Sequence, residues 1–212
     1  PDGFDSLLHE GTISRIDLAV DVKHIKPGNL LFYFPGIQCS QNRLKSGKIQ
    51  TAYLVTDESE KPFVIYDKKE EIIKKNKKLA YKYPVPVLAL TRVELRLRPE
   101  KSMGFKQLME INNPFSKLEL TASSKPTPAG KTGSDEYRLL QRLCFWEGVN
   151  QGLSLISDKT KKNAYRKQLL RESLNTFWEP VKVWQGLPAA LENAGFNVTK
   201  LVQEIHATPS SE

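Results

Sequence analysis

Two stretches of period-two alternation constrain this chain more than any other feature. In Ile16-Asp-Leu-Ala-Val-Asp-Val22 and in Thr91-Arg-Val-Glu-Leu-Arg-Leu-Arg98, apolar residues recur at alternate positions. A strand sends successive side chains to opposite faces, so each stretch reads as a strand with one face to bury and one polar face. The polar faces carry Arg15, Asp17, Ala19 and Asp21 on the first, and Arg92, Glu94, Arg96 and Arg98 on the second. Cross-strand ion pairing explains such faces at modest energetic gain. Two carboxylates brought together on one face otherwise repel, unless a hard cation such as Mg²⁺ or Mn²⁺ lies between them. Asp17 and Glu94, with Asp21 as a third oxygen donor, are therefore the candidate metal ligands.

The rest of the chain places these strands in an α+β arrangement. After Lys26-Pro-Gly-Asn, the apolar run Leu30 to Phe34 fits either a short helix or a strand, and Ser40 to Lys48 is polar and loop-like. Thr51 to Val55 and Pro62 to Asp67 read as strands joined by the acidic turn Asp57-Glu-Ser-Glu. Lys68 to Tyr81 suits a helix with Ile72, Ile73 and Leu79 as its buried stripe, stopped by Pro84 and Pro86. Ser102 to Ile111 suits a helix packing Phe105, Leu108 and Met109. With Leu30 to Phe34 helical, the order is the β-α-β-β-α-β of ferredoxin-like antiparallel sheets, one face packed and one open to a ligand. The expected organisation is a core over 1–120, a Ser/Thr/Pro/Gly-rich linker over 121–134 and a helical region over 135–212. In that region, helices are expected from Asp135 to about Val149 and from about Lys159 to Trp178. Shorter ones, interrupted by Pro180, Pro188 and Gly195, are expected beyond.

Composition excludes several classes. The 212 residues are 39% hydrophobic and 26% charged, as in a globular protein, and no apolar run approaches the roughly 20 residues of a membrane span. Cys39 and Cys144 are too few for a disulfide framework or a cysteine-built zinc site, which suits an intracellular protein. The chain opens on Pro-Asp-Gly-Phe rather than Met, as expected of a processed or trimmed piece, and nothing there reads as a secretory signal. The net charge is +8, and residues 61–101 hold twelve Lys or Arg against five Asp or Glu, or +7 of it. A basic region of this kind favours a polyanion through counterion release, although Lys-rich helices are also simply well solvated.

A second cluster of chemistry lies in Phe63-Val-Ile-Tyr66-Asp67-Lys68-Lys69-Glu70-Glu71, where a strand runs into a basic helix. A phenol ionises only near about pH 10, so a nucleophilic Tyr66 needs a neighbouring cation, and Lys68 is placed to provide it or to neutralise an attacked phosphate. Tyr53, Tyr81, Tyr83 and Tyr137 compete for that role. His9, His24 and His206 have no metal-ligand spacing, and Gly130-Lys-Thr-Gly lacks the strand and upstream glycine of a P-loop. Cys144 reads as core, and Trp146, Trp178 and Trp184 as packing residues.

Taken in order, Ser14-Arg-Ile-Asp-Leu-Ala-Val-Asp21, Val64-Ile-Tyr-Asp-Lys-Lys-Glu70 and Thr91-Arg-Val-Glu-Leu-Arg-Leu-Arg98 resemble the rolling-circle replication initiators of filamentous phages (the gene II protein type) and related plasmids, over about residues 12–115. The resemblance implies an HUH-nuclease-like sheet and an enzyme that nicks and rejoins one DNA strand at an origin. In such enzymes a tyrosine forms a 5′-phosphotyrosyl link and releases a 3′-OH, and a divalent cation polarises the phosphate. Carried onto this sequence, Tyr66 is the implied nucleophile and Lys68 its electrostatic helper. Asp17, Glu94 and Asp21 are the implied ligands of Mg²⁺ or Mn²⁺. Arg15, Arg92, Arg96, Lys74, Lys75, Lys77 and Lys78 are the implied DNA contacts. The implied partners are single-stranded and origin DNA and the host's replication helicase or polymerase, in the bacterial cytoplasm and away from membranes. The alternative is a non-catalytic single-stranded nucleic-acid-binding module on the same sheet.

Overall fold

The computed structural model describes residues 10–36, 38–43, 49–55, 63–99, 103–122, 135–171 and 177–199. They fall into two compact units: residues 17–96 with 117–178, and the segments through Ile16, Leu97–Ser116 and from Glu179 onward. The described strands are β1 (Thr12–Ile13), β2 (Ile16–Lys23), β3 (Leu30–Tyr33), β4 (Gln38–Arg43), β5 (Ile49–Val55), β6 (Phe63–Asp67), β7 (Leu90–Leu97), β8 (Met103–Gly104) and β9 (Glu119–Ala122). The helices are α1 (Lys68–Asn76), α2 (Phe105–Glu110), α3 (Asp135–Glu147), α4 (Val149–Ser154), α5 (Lys159–Arg171), α6 (Pro180–Gln185) and α7 (Leu187–Asn193).

The larger unit is built on a five-stranded sheet in the order β2-β7-β6-β5-β4, with β4 to β7 pairing antiparallel. Its register sorts the side chains into two faces. Ala52, Ile65 and Val93 form one cross-strand row and Leu54, Phe63 and Leu95 the next, all at most 2% exposed. Each of these side chains other than Ala52 stabilises the fold by about 1.5–3 kcal/mol on burial. The short 3₁₀ turn Pro27–Asn29 packs on β5 and β6, with Pro27 buried. Thr91, the one polar side chain in this layer of β7, is satisfied by donating from Oγ1 to the Ile25 carbonyl at 2.7 Å. The other face carries Thr51, Tyr53, Val64, Tyr66, Arg92 and Glu94 in register.

A second layer begins at β3, which pairs antiparallel with β9 rather than joining the main sheet. Leu30 and Phe32 are buried, while Leu31 and Tyr33, on the opposite face, pack on a helical core. That core is a stripe at helical spacing on α3 (Tyr137, Leu140, Cys144), closed by Val149 and Leu153 of α4 and Leu169 of α5. Gly148 joins α3 to α4 at φ 91°, a left-handed conformation that favours glycine. Gly152 brings α4 so close to α3 that a Cβ there would lie 2.5 Å from the Cys144 sulfur.

The smaller unit pairs β1 with β8 and packs Leu108, Phe115, Leu187, Leu191 and Val198. Ring contacts join Phe105 to Phe196 (5.0 Å) and Phe115 to Trp184 (6.5 Å). Asn113 donates to the Pro180 carbonyl at 2.9 Å.

The fold is mixed α+β with antiparallel sheets, as the alternation implies, but several segments differ from expectation. Leu30–Tyr33 is a strand, so only the short 3₁₀ turn and no α-helix lies between β2 and β3, and β6 and β7 are direct neighbours despite the helix between them. Polar Gln38–Arg43 forms β4 and Glu119–Ala122 forms β9, because ladder partners were available that composition does not reveal. α1 ends at Asn76, short of Tyr81 and well before Pro84. Pro180 and Pro188 lie in the first turns of α6 and α7 and start those helices, where proline's missing N–H costs nothing. α5 ends at Arg171, and Trp178 donates from Nε1 to the Leu118 carbonyl at 2.7 Å. The turn at 57–60, the linker core at 123–134 and the side chain of Trp146 lie outside the described residues. Among the described residues, no helix is long and apolar enough to cross a membrane.

Candidate active site on the open sheet face

The strand-to-helix junction sets the site. Asp67 ends β6 and caps α1, its Oδ1 accepting from the Glu70 amide at 3.0 Å. Aspartate caps of this kind typically contribute about 1 kcal/mol to a helix. Because strand passes into helix without a loop, Tyr66 stays on the open face while Lys68 begins the helix beside it. The Lys68 ammonium lies 5.9 Å from the centre of the Tyr66 ring. It also donates to Glu71, which receives Lys75 at 2.7 Å one turn later. Burial pushes the Glu71 carboxyl up, but hydrogen bonds from these two lysines prevail and hold it below its ordinary range.

β7 places Arg92, Glu94 and Arg96 on the same face, at alternate positions. The Tyr66 hydroxyl donates to Glu94 Oε2 at 3.1 Å, and Arg96 Nε donates to Glu94 Oε1 at 2.8 Å. The Glu94 side chain is only 13% exposed, so the carboxylate is held between its two donors. Arg92 faces Tyr66 across the ladder and forks onto Asp21 of β2, with Nε to Oδ1 at 2.7 Å and a terminal nitrogen to Oδ2 at 2.9 Å. That two-pronged bond raises the Arg92 guanidinium well above its ordinary value. The Tyr66 phenol is also raised well above its ordinary value of about 10, first by burial and then by the negative charge of Glu94 and Glu71; Arg92 opposes this.

The structure therefore brings Tyr66, Glu94, Arg96, Arg92, Asp21 and Lys68 into one connected group. Asp17 stands exposed on the Asp21 face of β2, where Asp17, Ala19, Asp21 and Lys23 alternate with Ile16, Leu18, Val20 and Val22. Arg15 is not part of that strand: it lies in the break between β1 and β2. Lys74, Lys75, Lys77 and Lys78 are exposed on and just beyond the last turn of α1, and Lys75 is joined to Lys68 through Glu71. Among the rival tyrosines, Tyr137 is 3% exposed inside the helical core, 5.3 Å from the Tyr165 ring, and Tyr81 and Tyr83 are on the surface.

Among the described residues, no three His, Cys, Asp or Glu side chains cluster as a metal site. The repulsion that argued for a cation is relieved by protein groups: Arg92 neutralises Asp21, and Arg96 neutralises Glu94. The donor chemistry still suits a hard cation, since Asp17, Asp21 and Glu94 offer only carboxylate oxygens. A cation taken up here competes with both arginines. These arginine partnerships were not visible in the sequence beyond the alternation itself, because the short Arg-x-acid spacing does not say which acid each arginine reaches.

Compared with known protein families and with curated proteins, the chain matches none.

Proposed function

We propose that this chain cuts and rejoins one strand of DNA at an origin through Tyr66, as a replication initiator of the rolling-circle kind. The observation that carries the reading is the Tyr66 hydroxyl 3.1 Å from Glu94, with Arg92 and Arg96 beside it on the polar sheet face. The phenol is held protonated at neutral pH, so its proton must leave as it attacks, and Glu94 is within reach to accept it. The phenolic oxygen forms a bond to phosphorus, the bond from phosphorus to the 3′ oxygen breaks, and that oxygen takes a proton from water to become the 3′-OH. The strand is left on Tyr66 through its 5′ phosphate, and attack by a 3′-OH reverses the step and rejoins it. Arg92, Arg96 and Lys68 stabilise the charge that builds on the phosphate.

In this reading Asp17, Asp21 and Glu94, which do not cluster as a metal group in the structure, would have to converge to hold Mg²⁺ or Mn²⁺, which when bound would polarise the phosphodiester. The finer fold assignment, a ferredoxin-like nicking sheet, belongs to the same proposal. An antiparallel sheet with one packed and one polar face supports it, while strand β3 and the β6–β7 pairing depart from it. Origin DNA and the host's replication helicase or polymerase are its proposed partners.

Incubation of the chain with labelled single-stranded oligonucleotides and Mn²⁺, followed by denaturing electrophoresis, tests the reading. An SDS-resistant adduct that disappears in Tyr66→Phe and persists in Tyr137→Phe is expected. An adduct that survives Tyr66→Phe removes Tyr66 as nucleophile, and one that forms undiminished in EDTA removes the cation.

A second reading, a non-catalytic single-strand-binding module, gains from one observation. Two acids of the face, Asp21 and Glu94, are each paired with an arginine. It predicts salt-sensitive binding with no cleavage on any substrate.

A further inference from the structure

Between α1 and β7 the chain crosses the surface as an extended strap, and its composition and fixation are unusual for a connector. Residues 80–88 belong to neither a helix nor a strand, Leu79 makes the last helical backbone bond to the Lys75 carbonyl at 3.1 Å, and Pro84 and Pro86 hold the residues before them extended. Yet the strap is tied down at both ends. The Asn76 side chain accepts from the Tyr83 amide and donates to the Tyr83 carbonyl, both at 2.8 Å. Lys82 folds back onto the Asn76 and Leu79 carbonyls at the end of α1, and Lys69 donates to the Val87 carbonyl at 2.6 Å.

What the tethers hold in place is an exposed aromatic pair. Tyr81 is 71% exposed and Tyr83 48%, their rings 5.5 Å apart and edge-to-face. Among the described residues, rings this exposed on so firmly fixed a backbone contribute little to the core. Lys74, Lys77 and Lys78 are exposed at the end of α1 from which the strap departs, and exposed Lys82 lies between the two tyrosines in the chain. Pre-positioned aromatic faces on a lysine-rich segment match the two needs of an unpaired nucleic-acid strand: surfaces for its bases and positive charge for its phosphates. Duplex DNA cannot use such rings, because its base faces are already stacked.

We infer that the 80–88 strap is a base-stacking platform for single-stranded DNA, with Tyr81 and Tyr83 taking bases and Lys74, Lys77, Lys78 and Lys82 tracking the backbone. This deepens the DNA reading proposed above and rests on it for the identity of the polymer, but it does not depend on Tyr66 chemistry.

The test is anisotropy of dye-labelled oligo(dT) and of an abasic oligonucleotide of equal length, with the full chain and no divalent cation. The abasic strand, which keeps every phosphate, is expected to bind at least tenfold more weakly. Tyr81→Ala with Tyr83→Ala lowers oligo(dT) affinity by roughly tenfold or more and leaves abasic binding unchanged, while the two Phe replacements retain the oligo(dT) affinity. Lys77→Ala weakens both ligands alike and reduces the salt slope by about 0.7. Equal affinity for the two strands, or oligo(dT) affinity indifferent to the Tyr81 and Tyr83 changes, overturns the inference; so does failure of both strands to bind at low salt, which would leave the strap to a protein partner. Adduct formation on Mn²⁺ addition is a separate readout. Stacking without an adduct sinks the nicking reading alone, and an adduct without stacking sinks the platform alone.

Discussion

The open sheet face and the helical core of the larger unit each enclose a group whose ionisation is suppressed, for different physical reasons. In the helical core, the Cys144 thiol is pushed up to about 12 by burial alone, among Tyr137, Leu140 and Leu153. On the sheet, the Tyr66 phenol is raised by burial together with the charge of Glu94 and Glu71, and Glu94 also accepts its proton in a hydrogen bond. The first environment makes a group inert, since nothing charged is near to receive its proton. The second holds a proton against a ready acceptor and surrounds it with guanidinium groups. Suppressed ionisation by itself therefore says little about reactivity; the cause of the suppression distinguishes a packing residue from a candidate nucleophile.

The contrast has energetic consequences. Leu140→Ala opens a cavity in the helical core and is expected to cost about 2–5 kcal/mol, whereas Arg92→Ala, which breaks a half-exposed ion pair with Asp21, costs about 1 kcal/mol or less. Chemical denaturation of both variants compares the two regions directly, and an Arg92 variant as destabilised as the Leu140 one would make the sheet face a structural network rather than a site. An effect between those two is expected from Gly152→Ala. Its methyl group meets the Cys144 sulfur, and overpacking of this kind costs about 1–3 kcal/mol. Cys144→Ala in the same chain should recover most of that loss, and no recovery would mean that the strain falls on the α3 backbone instead.

The smallest effect concerns alkaline stability. An unfolded tyrosine ionises at about pH 10, while folded Tyr66 keeps its proton to higher pH. Above about pH 10 the unfolded chain has therefore released a proton that the folded chain retains, and stability falls as pH rises; below it the contribution is fully present. Tyr66→Phe removes that slope. Denaturation midpoints of the two proteins measured across pH 9 to 11 check it, and parallel curves would show that Tyr66 ionises alike in both states.

Much of the site was legible before any coordinates, and the reason is local. Asp17 and Asp21, and separately Arg92, Glu94 and Arg96, share faces because alternation is built into strand geometry. Tyr66 beside Lys68 follows from the strand running into the helix, whereas Asp67 as the helix cap emerged only from the structure. The Tyr81–Tyr83 strap was not legible: the lysine-rich run continues a helical pattern past Asn76, and only the Asn76 and Lys82 side chains, folding onto backbone, end the helix there.

The sequence by itself determined which side chains lie on the same face of each element, because that periodicity depends on bonds between near neighbours. Only the tertiary structure decided that β3 pairs with β9 outside the main sheet, that β7 lies between β2 and β6, and that Arg92 takes Asp21 while Arg96 and Tyr66 share Glu94. Those partnerships join residues far apart in the chain, and ladder groups and arginine forks accept many partners equally well. Their choice is made by how the whole chain packs, which no local pattern encodes.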